Sequence, residues 1–192
     1  MRVSSIILAG GHATRMGGVD KGLVSLQNKP LIQHVITRLQ PQVDEILINA
    51  NREIAQYETF SLKVLQDENQ EFLGPLAGML LGLKHAKHDL VLSGSCDSPL
   101  LPLNLVERLK KNLMETHADI AVASSDGNAH PVFCLMKKSV LPSLIDFLDA
   151  GERKVSAWQK RQTYCEVDFS DCNNAFVNLN TLEELRELEL KL

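Results

Sequence analysis

The chain has 192 residues, 44% of them hydrophobic and 23% charged, with a formal net charge of −4. These values are typical of one folded domain, and the acidic balance without a basic tail argues against a nucleic-acid partner. Every apolar run is shorter than the ~20 residues that span a membrane, and no signal peptide precedes the first predicted strand. We therefore expect a single domain over residues 1–192 with no membrane partner.

Four cysteines are scattered along the chain without a C-x-x-C pair. This pattern indicates neither a disulfide framework nor a zinc site. Reduced thiols of this kind are typical of a cytoplasmic protein, which is the location we expect.

Short apolar runs alternate with segments whose apolar residues recur at helical spacing. Helical patterns surround residues 31–39, 76–83, 105–113, 141–148 and 155–160, and Thr181 with Glu184 forms a capping box for a terminal helix over 182–191. The alternation predicts an α/β fold with a mostly parallel, mixed sheet and helices on both faces. Predicted strands cover residues 5–8, 45–48, 63–65, 90–92, 120–123, 132–136 and 166–169.

A glycine-rich segment follows the first predicted strand, with the sequence L-A-G-G-H-A-T-R-M-G-G-V-D-K-G over residues 8–22. Glycine allows the backbone to approach a ligand closely, and successive N–H groups in such a loop bind anions. Arg15 and Lys21 add two positive charges, so the segment predicts a nucleoside triphosphate site. It matches neither the P-loop nor the dinucleotide fingerprint, and an ordinary strand-to-helix turn is the alternative.

Polar residues or glycine follow each of the first four predicted strands. Gly10, Asn49, Asp67 and Asp97 occupy these positions in chain order. Ligands of open α/β sheets bind beyond the carboxyl ends of the strands, so we expect these residues to share one site. Taken singly, an aspartate before Pro99 is also typical of a turn or cap.

The glycine-rich pattern resembles the signature of nucleotidyltransferases built on a Rossmann-like, glycosyltransferase-A type domain. Further blocks at residues 49–52, 74–78, 96–99, 151–155 and 176–181 resemble, in order and spacing, the molybdenum cofactor guanylyltransferases. The resemblance extends over essentially the whole chain. One departure is Lys154, where relatives often carry a second arginine, so the bidentate contact of a guanidinium is lost there.

The resemblance implies transfer of GMP from GTP to the terminal phosphate of molybdenum-loaded molybdopterin, with release of pyrophosphate. Arg15, Lys21 and Asp97 are then the catalytic residues, and Asp97 holds Mg²⁺, a cation that prefers oxygen ligands. The residues implied for GTP binding are Leu8, Ala9, Gly10, Lys21, Asn49, Asp67 and Asp97.

The C-terminal part of the domain is expected to bind the second substrate, molybdopterin. The candidates are Gly78, Arg153, Lys154, Asn178 and Asn180, and His130 is a further position that could line the same cleft. Tight helix–sheet packing is an equal explanation for Gly78. A solvated helix face explains Arg153 and Lys154 equally well, and a helix-entry turn explains the two asparagines.

The sequence also allows two other functions. A cytidylyltransferase or sugar-phosphate nucleotidyltransferase shares the first motif, and a nucleotide sensor or cofactor-delivering adaptor needs the glycine loop without a metal-binding acid. The resemblance also implies transient contacts with an upstream molybdenum insertase and with acceptor chaperones.

Overall fold

A computed structural model describes residues 1–11, 20–67, 74–172, 174–179 and 181–190. Arg15 and Asn180, two of the predicted site residues, lie outside these ranges. Within the described ranges, no helix combines the length and the apolar character that crossing a bilayer requires.

Seven strands form the central sheet, in the order β5-β4-β1-β6-β8-β7-β9. β8 is antiparallel to both of its neighbours, and every other pair is parallel. The predicted mostly parallel, mixed sheet is therefore confirmed. The strands are β1 (Val3–Leu8), β2 (Ser25–Leu26), β3 (Lys29–Pro30), β4 (Glu45–Asn49), β5 (Lys63–Leu65), β6 (Leu90–Ser95), β7 (Ile120–Ser125), β8 (Asn128–Lys137) and β9 (Tyr164–Asp168).

Helices cover both faces of the sheet, as the alternating pattern predicts. Because successive side chains of a strand point to opposite faces, Ile6 and Ile7 of β1 enter two different hydrophobic clusters. The Ile7 cluster includes α1 and α4, and the Ile6 cluster includes α3, α5 and α6. The helices are α1 (Leu31–Leu39), α2 (Ile54–Glu58), α3 (Pro75–His85), α4 (Leu105–Glu115), α5 (Leu141–Asp149), α6 (Val155–Gln159) and α7 (Leu182–Glu189).

Several short elements of the structure are not predicted by the apolar pattern. β2 and β3 form a separate two-stranded hairpin, and α2 has only five residues. A two-residue strand is too short to show a period of 2.0, and α2 buries a single residue, Tyr57, so its sequence shows no apolar stripe. The last strand of the sheet, β9, also begins two residues before its predicted start at residue 166.

The hairpin and the C-terminal helix form a third, smaller cluster around Leu26, Leu31, Leu179 and Leu185. The predicted capping box at the start of α7 is present, with Thr181 and Glu184 bonded reciprocally at 3.0 and 3.1 Å. This cluster attaches the C-terminal segment beside the turn that carries Lys21.

Gly82 of α3 lies against β1 without space for a side chain. A Cβ atom there would lie 2.6 Å from Ile6 Cγ2 and 2.9 Å from Ile6 Cβ. We expect Gly82→Ala to lower the free energy of unfolding by about 1–3 kcal/mol, because overpacking a buried contact outweighs the better helix propensity of alanine. Urea unfolding measures the difference.

Gly94→Ala in β6 is the matched control for this prediction. A Cβ atom at Gly94 would meet its nearest neighbour, Phe133, at an ordinary 3.8 Å. Equal stability of the two alanine variants, or a gain at Gly82, would contradict the packing argument.

Candidate active site

The four parallel strands at one side of the sheet end in register. Leu8, the last residue of β1, pairs with Asn49 of β4 and with Ser95 of β6, and Asn49 pairs with Leu65 of β5. Hydrogen bonds continue just past these ends, from Ala9 N to Asn49 O at 2.8 Å and from Cys96 N to Leu8 O at 3.1 Å. The side chains that follow the strands therefore meet at one edge.

Lys21 and Asp97 are in direct contact at this edge. The Lys21 Nζ atom forms an ion pair with Asp97 Oδ2, and the Ser95 hydroxyl donates to Asp97 Oδ1. Asp97 is 5% exposed, so the carboxylate is held by the end of β6 and by its partners. The predicted cation and the predicted metal-binding acid thus occupy the same place.

Lys21 stands at the start of a short 3-10 turn, Lys21–Leu23, that a buried acid caps. The Asp20 side chain accepts a hydrogen bond from Gly22 N at 3.4 Å and another from the Tyr57 hydroxyl at 2.5 Å. Asp20 is 4% exposed, and burial raises the pKa of its carboxyl group. Burial also raises the pKa of Tyr57, which keeps this hydroxyl protonated as a donor.

Tyr57 is a residue of this site to which the linear sequence pattern does not point. It lies in α2, and its hydroxyl fills the space beside Gly22, where a Cβ atom would lie only 2.7 Å from Tyr57 Oη. Asp20 was visible as the residue before Lys21, but nothing in the linear pattern connects it to a tyrosine in a five-residue helix.

A hydrogen-bonded network connects Asn49, Asp67 and a third residue, Asn51. Asn49 Nδ2 donates to Asp67 Oδ1 at 2.9 Å, and Asn51 Nδ2 donates to Asp67 Oδ2 at 2.7 Å. The backbone N–H of Asp67 donates to Asn51 Oδ1 at 2.9 Å. Asn51 therefore holds both the backbone and the carboxylate of Asp67. Asn51 lies beyond the end of β4, so the strand period gives no signal for its role.

Two glycines leave space for the Asn49 amide group. A Cβ atom at Gly78 would lie 2.5 Å from Asn49 Oδ1 and 2.4 Å from Leu8 Cδ2, and one at Gly10 would lie 3.1 Å from Asn49 Oδ1. Helix–strand packing is thus a sufficient reason for glycine at residue 78. A contact of Gly78 with the second substrate stays a prediction.

The remaining candidate residues for binding the second substrate lie in two different places. The Asn178 side chain accepts from Ser98 Oγ at 2.9 Å, and Leu179 N donates to Asp97 O at 3.2 Å, so this segment borders the Lys21–Asp97 pair. Arg153 and Lys154 are exposed between α5 and α6, where Arg153 donates to Leu148 O and Glu152 O, both at 2.8 Å.

The acids of the site suit a cation that takes most of its ligands from elsewhere. Among the residues that the structure describes, no three His, Cys, Asp or Glu side chains gather as a metal cage. Mg²⁺ is usually held by one or two carboxylates, substrate phosphates and water. One firmly held carboxylate, Asp97, is consistent with that mode of binding.

The sequence model of the MobA-like NTP transferase domain matches residues 5–163 of this chain. The chain therefore belongs to this family of nucleotidyltransferases, and the predicted enzyme class is confirmed.

Two named relatives match the chain over nearly its whole length. The chain is 50% identical to a molybdenum cofactor guanylyltransferase from Shewanella putrefaciens, over 99% of this chain and 97% of that protein. It is 49% identical to the enzyme of the same name from Shewanella halifaxensis, over 97% and 94%. The sequence resemblance to molybdenum cofactor guanylyltransferases is confirmed by these matches.

A solved structure shares the fold. Molybdopterin-guanine dinucleotide biosynthesis protein A from Archaeoglobus fulgidus superposes with a TM-score of 0.79 at 23% identity, covering 100% of this chain and 98% of that chain. At this identity the comparison supports the nucleotidyltransferase fold alone.

We expect Tyr57→Phe to lower the free energy of unfolding by about 1–3 kcal/mol near neutral pH, because the buried Asp20 carboxylate loses a donor. Without this hydrogen bond the raised pKa of Asp20 rises further in the folded state. The folded protein then binds a proton more readily than the unfolded chain, so the loss of stability shrinks as the pH falls towards about 4. Urea unfolding at several pH values measures both effects.

Tyr164→Phe serves as the matched control, since Tyr164 is 37% exposed on β9. A Tyr57→Phe variant as stable as this control at neutral pH would show that Asp20 does not need the tyrosine.

Proposed function

We propose that the protein transfers GMP from GTP to the terminal phosphate of molybdenum-loaded molybdopterin, giving the guanine dinucleotide cofactor and pyrophosphate. The observation that carries this proposal is the contact between Lys21 and Asp97 beside the Asn49–Asp67–Asn51 network. Family membership and the names of the relatives support the same reaction.

In this reaction a phosphate oxygen of molybdopterin attacks the α-phosphorus of GTP, and the bond between that phosphorus and the bridging oxygen of the β-phosphate breaks. Negative charge grows on the phosphoryl oxygens and on the leaving pyrophosphate, so positioning and charge stabilisation do most of the work. The Lys21 ammonium group supplies a point charge for the triphosphate, and Arg15 is proposed to hold the same phosphates through the bidentate contact of its guanidinium group. Mg²⁺ held by Asp97 would neutralise phosphate charge when bound.

The guanine base is proposed to lie between residues 8–10 and the Asp67 carboxylate. Guanine presents N–H donors on its Watson–Crick edge, and a carboxylate presents only acceptors. The Leu8 carbonyl accepts from Cys96 N and has a second lone pair for a ligand donor. Ala9 and Gly10 would line the same side of the base. Asn49 and Asn51 would keep the Asp67 oxygens aimed at the base.

The second substrate is proposed to reach Asp97 along the segment that contains Asn178, with Gly78, Arg153, Lys154 and Asn180 as further contacts. Delivery by an upstream molybdenum insertase, transfer to acceptor chaperones and a cytoplasmic location belong to the same proposal.

Replacing Asp97 by asparagine tests the reaction. We expect Asp97→Asn to lower turnover with GTP, Mg²⁺ and molybdopterin by more than about a hundredfold, because the loss of metal-assisted charge stabilisation is worth several kcal/mol. Chromatography of the dinucleotide product measures turnover, and GTP binding is measured in parallel. Asp146→Asn, at an exposed aspartate of α5, is the matched control.

The outcomes separate the alternatives. Unchanged turnover in Asp97→Asn would overturn the metal assignment, and preference of the unaltered enzyme for CTP would favour a cytidylyltransferase. A protein that binds GTP but forms no dinucleotide under any metal condition would be a sensor or adaptor.

Asn51 offers a test of base recognition. We expect Asn51→Ala to reduce the preference for GTP over ITP, measured as the ratio of kcat/KM values, by about tenfold. The reason is that Asp67 loses the hydrogen bonds that orient it toward the 2-amino group, and a bond to a charged acceptor is worth about 1.5–3 kcal/mol. ITP is the informative competitor because hypoxanthine lacks only that amino group.

Gln66→Ala is the control for Asn51→Ala, since Gln66 is the exposed neighbour of Asp67. If Asn51→Ala discriminates GTP from ITP as well as Gln66→Ala does, Asp67 does not depend on Asn51 for reading the base.

A further inference from the structure

A second pocket lies outside the Lys21–Asp97 site, among the ends of β7 and β9 and the segment 174–177. Its volume is about 520 Å³, and its lining includes Ser125, Asp126, His130, Asn174 and Phe176. Since β7 and β9 run in the same direction as β6, the pocket opens at the sheet edge where the Lys21–Asp97 pair lies.

A bulge in β8 lies beside this pocket. Val122 of β7 pairs with Cys134, but the next residue, Ala123, pairs with His130. Residues 131–133 lie between these two partners and have none in β7, so the strand leaves the ladder and returns with a new register. Bulges re-aim side chains and occur often beside active sites.

The bulge brings the imidazole of His130 onto a ring platform. His130 stacks on Phe176 with ring centroids 4.7 Å apart, and Phe133 and Phe169 support Phe176 at 5.0 and 5.5 Å. The Nε2 atom of His130 is 2.7 Å from Ser125 Oγ, which fixes the ring in its plane. The imidazole thus offers a rigid, partly exposed face to the pocket.

The polar groups of the pocket suit an uncharged heterocycle that donates hydrogen bonds. Among the lining residues that the structure describes there is no lysine or arginine, and Asp126 contributes an acceptor. Burial lowers the pKa of His130, so the imidazole is mainly neutral at neutral pH. A phosphate group would find no cation in this lining.

The same chain segment borders both sites. Phe176 stands two residues before Asn178, a span of at most about 7 Å of extended chain, and Asn178 accepts from Ser98 beside Asp97. A ligand whose ring lies on His130 could therefore extend its other end to Asp97.

We propose that this pocket binds the pterin ring of the second substrate, with the ring against His130 and its amide-like N–H groups toward Asp126, while the phosphate end points to Asp97. The inference rests on the proposed function, because that function supplies a substrate with a heterocycle at one end and a reacting phosphate at the other. It assigns His130 and Asp126 to the binding of the second substrate.

The test compares the unaltered enzyme with His130→Ala and Asp126→Asn. His85→Ala is the matched control, at an exposed histidine in the last turn of α3. Steady-state kinetics give the KM for molybdopterin at saturating GTP and the KM for GTP. We expect either variant to raise the KM for molybdopterin about tenfold, because one stacking contact is lost or one charge-assisted hydrogen bond becomes a neutral one, with the KM for GTP unchanged.

A binding measurement without turnover separates this inference from the proposed function. Titration with free pterin, followed by its fluorescence, should show binding to the unaltered enzyme and to His85→Ala and weaker binding to both pocket variants, while His130→Phe should recover part of the loss. If dinucleotide formation fails but these affinities differ as expected, the proposed function is wrong, and the binding of a pterin ring by this pocket stands without its link to a reacting phosphate.

Pterin binding that is absent from the unaltered enzyme, or equal in all variants, would overturn the pocket assignment. So would a rise in the KM for GTP alone. Asp126 is exposed, so Asp126→Asn keeps the proposal testable even if His130→Ala fails to fold.

Discussion

The position of the Lys21 ammonium group depends on a buried acid. Asp20 is almost fully shielded from water, and its carboxylate is held by the Tyr57 hydroxyl and the Gly22 amide. Burial of a carboxylate is unfavourable unless donors compensate for the lost water, so the surrounding chain must keep these partners in place. The turn that begins at Lys21 is consequently fixed relative to α2, and its Gly22 lies close against Cys96, the neighbour of Asp97.

Parallel pairing supplies the other half of the site. Because β1, β4, β5 and β6 end in register, backbone pairing already brings the residues just beyond them to one edge, where their side chains then make contact. A shift of one residue in any of these pairings would turn Asn49 or Asp97 to the other face of the sheet. The apolar runs that set the strand register therefore also set the positions of these polar side chains.

This is why the sequence predicts one part of the site and not another. The positions of Asn49, Asp67 and Asp97 follow from where apolar runs stop, which the sequence displays directly. The roles of Tyr57 and Asn51 depend on contacts between elements, and α2, which buries only Tyr57, shows no apolar stripe. The β8 bulge was also hidden, because residues 132–136 read as an uninterrupted strand although the ladder with β7 changes register there.

The two halves of the sheet contribute different chemistry for a geometric reason. The parallel half can gather strand ends at one edge, whereas β8 runs the other way and reaches that edge with its first residues, which the bulge turns toward Phe176. The segment 174–179 then crosses from the ring platform to Asp97, and Leu179 anchors it in the cluster formed by the β2–β3 hairpin and α7. Since the hairpin follows directly after the Lys21 turn, the C-terminal helix packs on the element that carries the cationic side of the site. The C-terminal segment is therefore part of the framework of the candidate site, in addition to covering one edge of the fold.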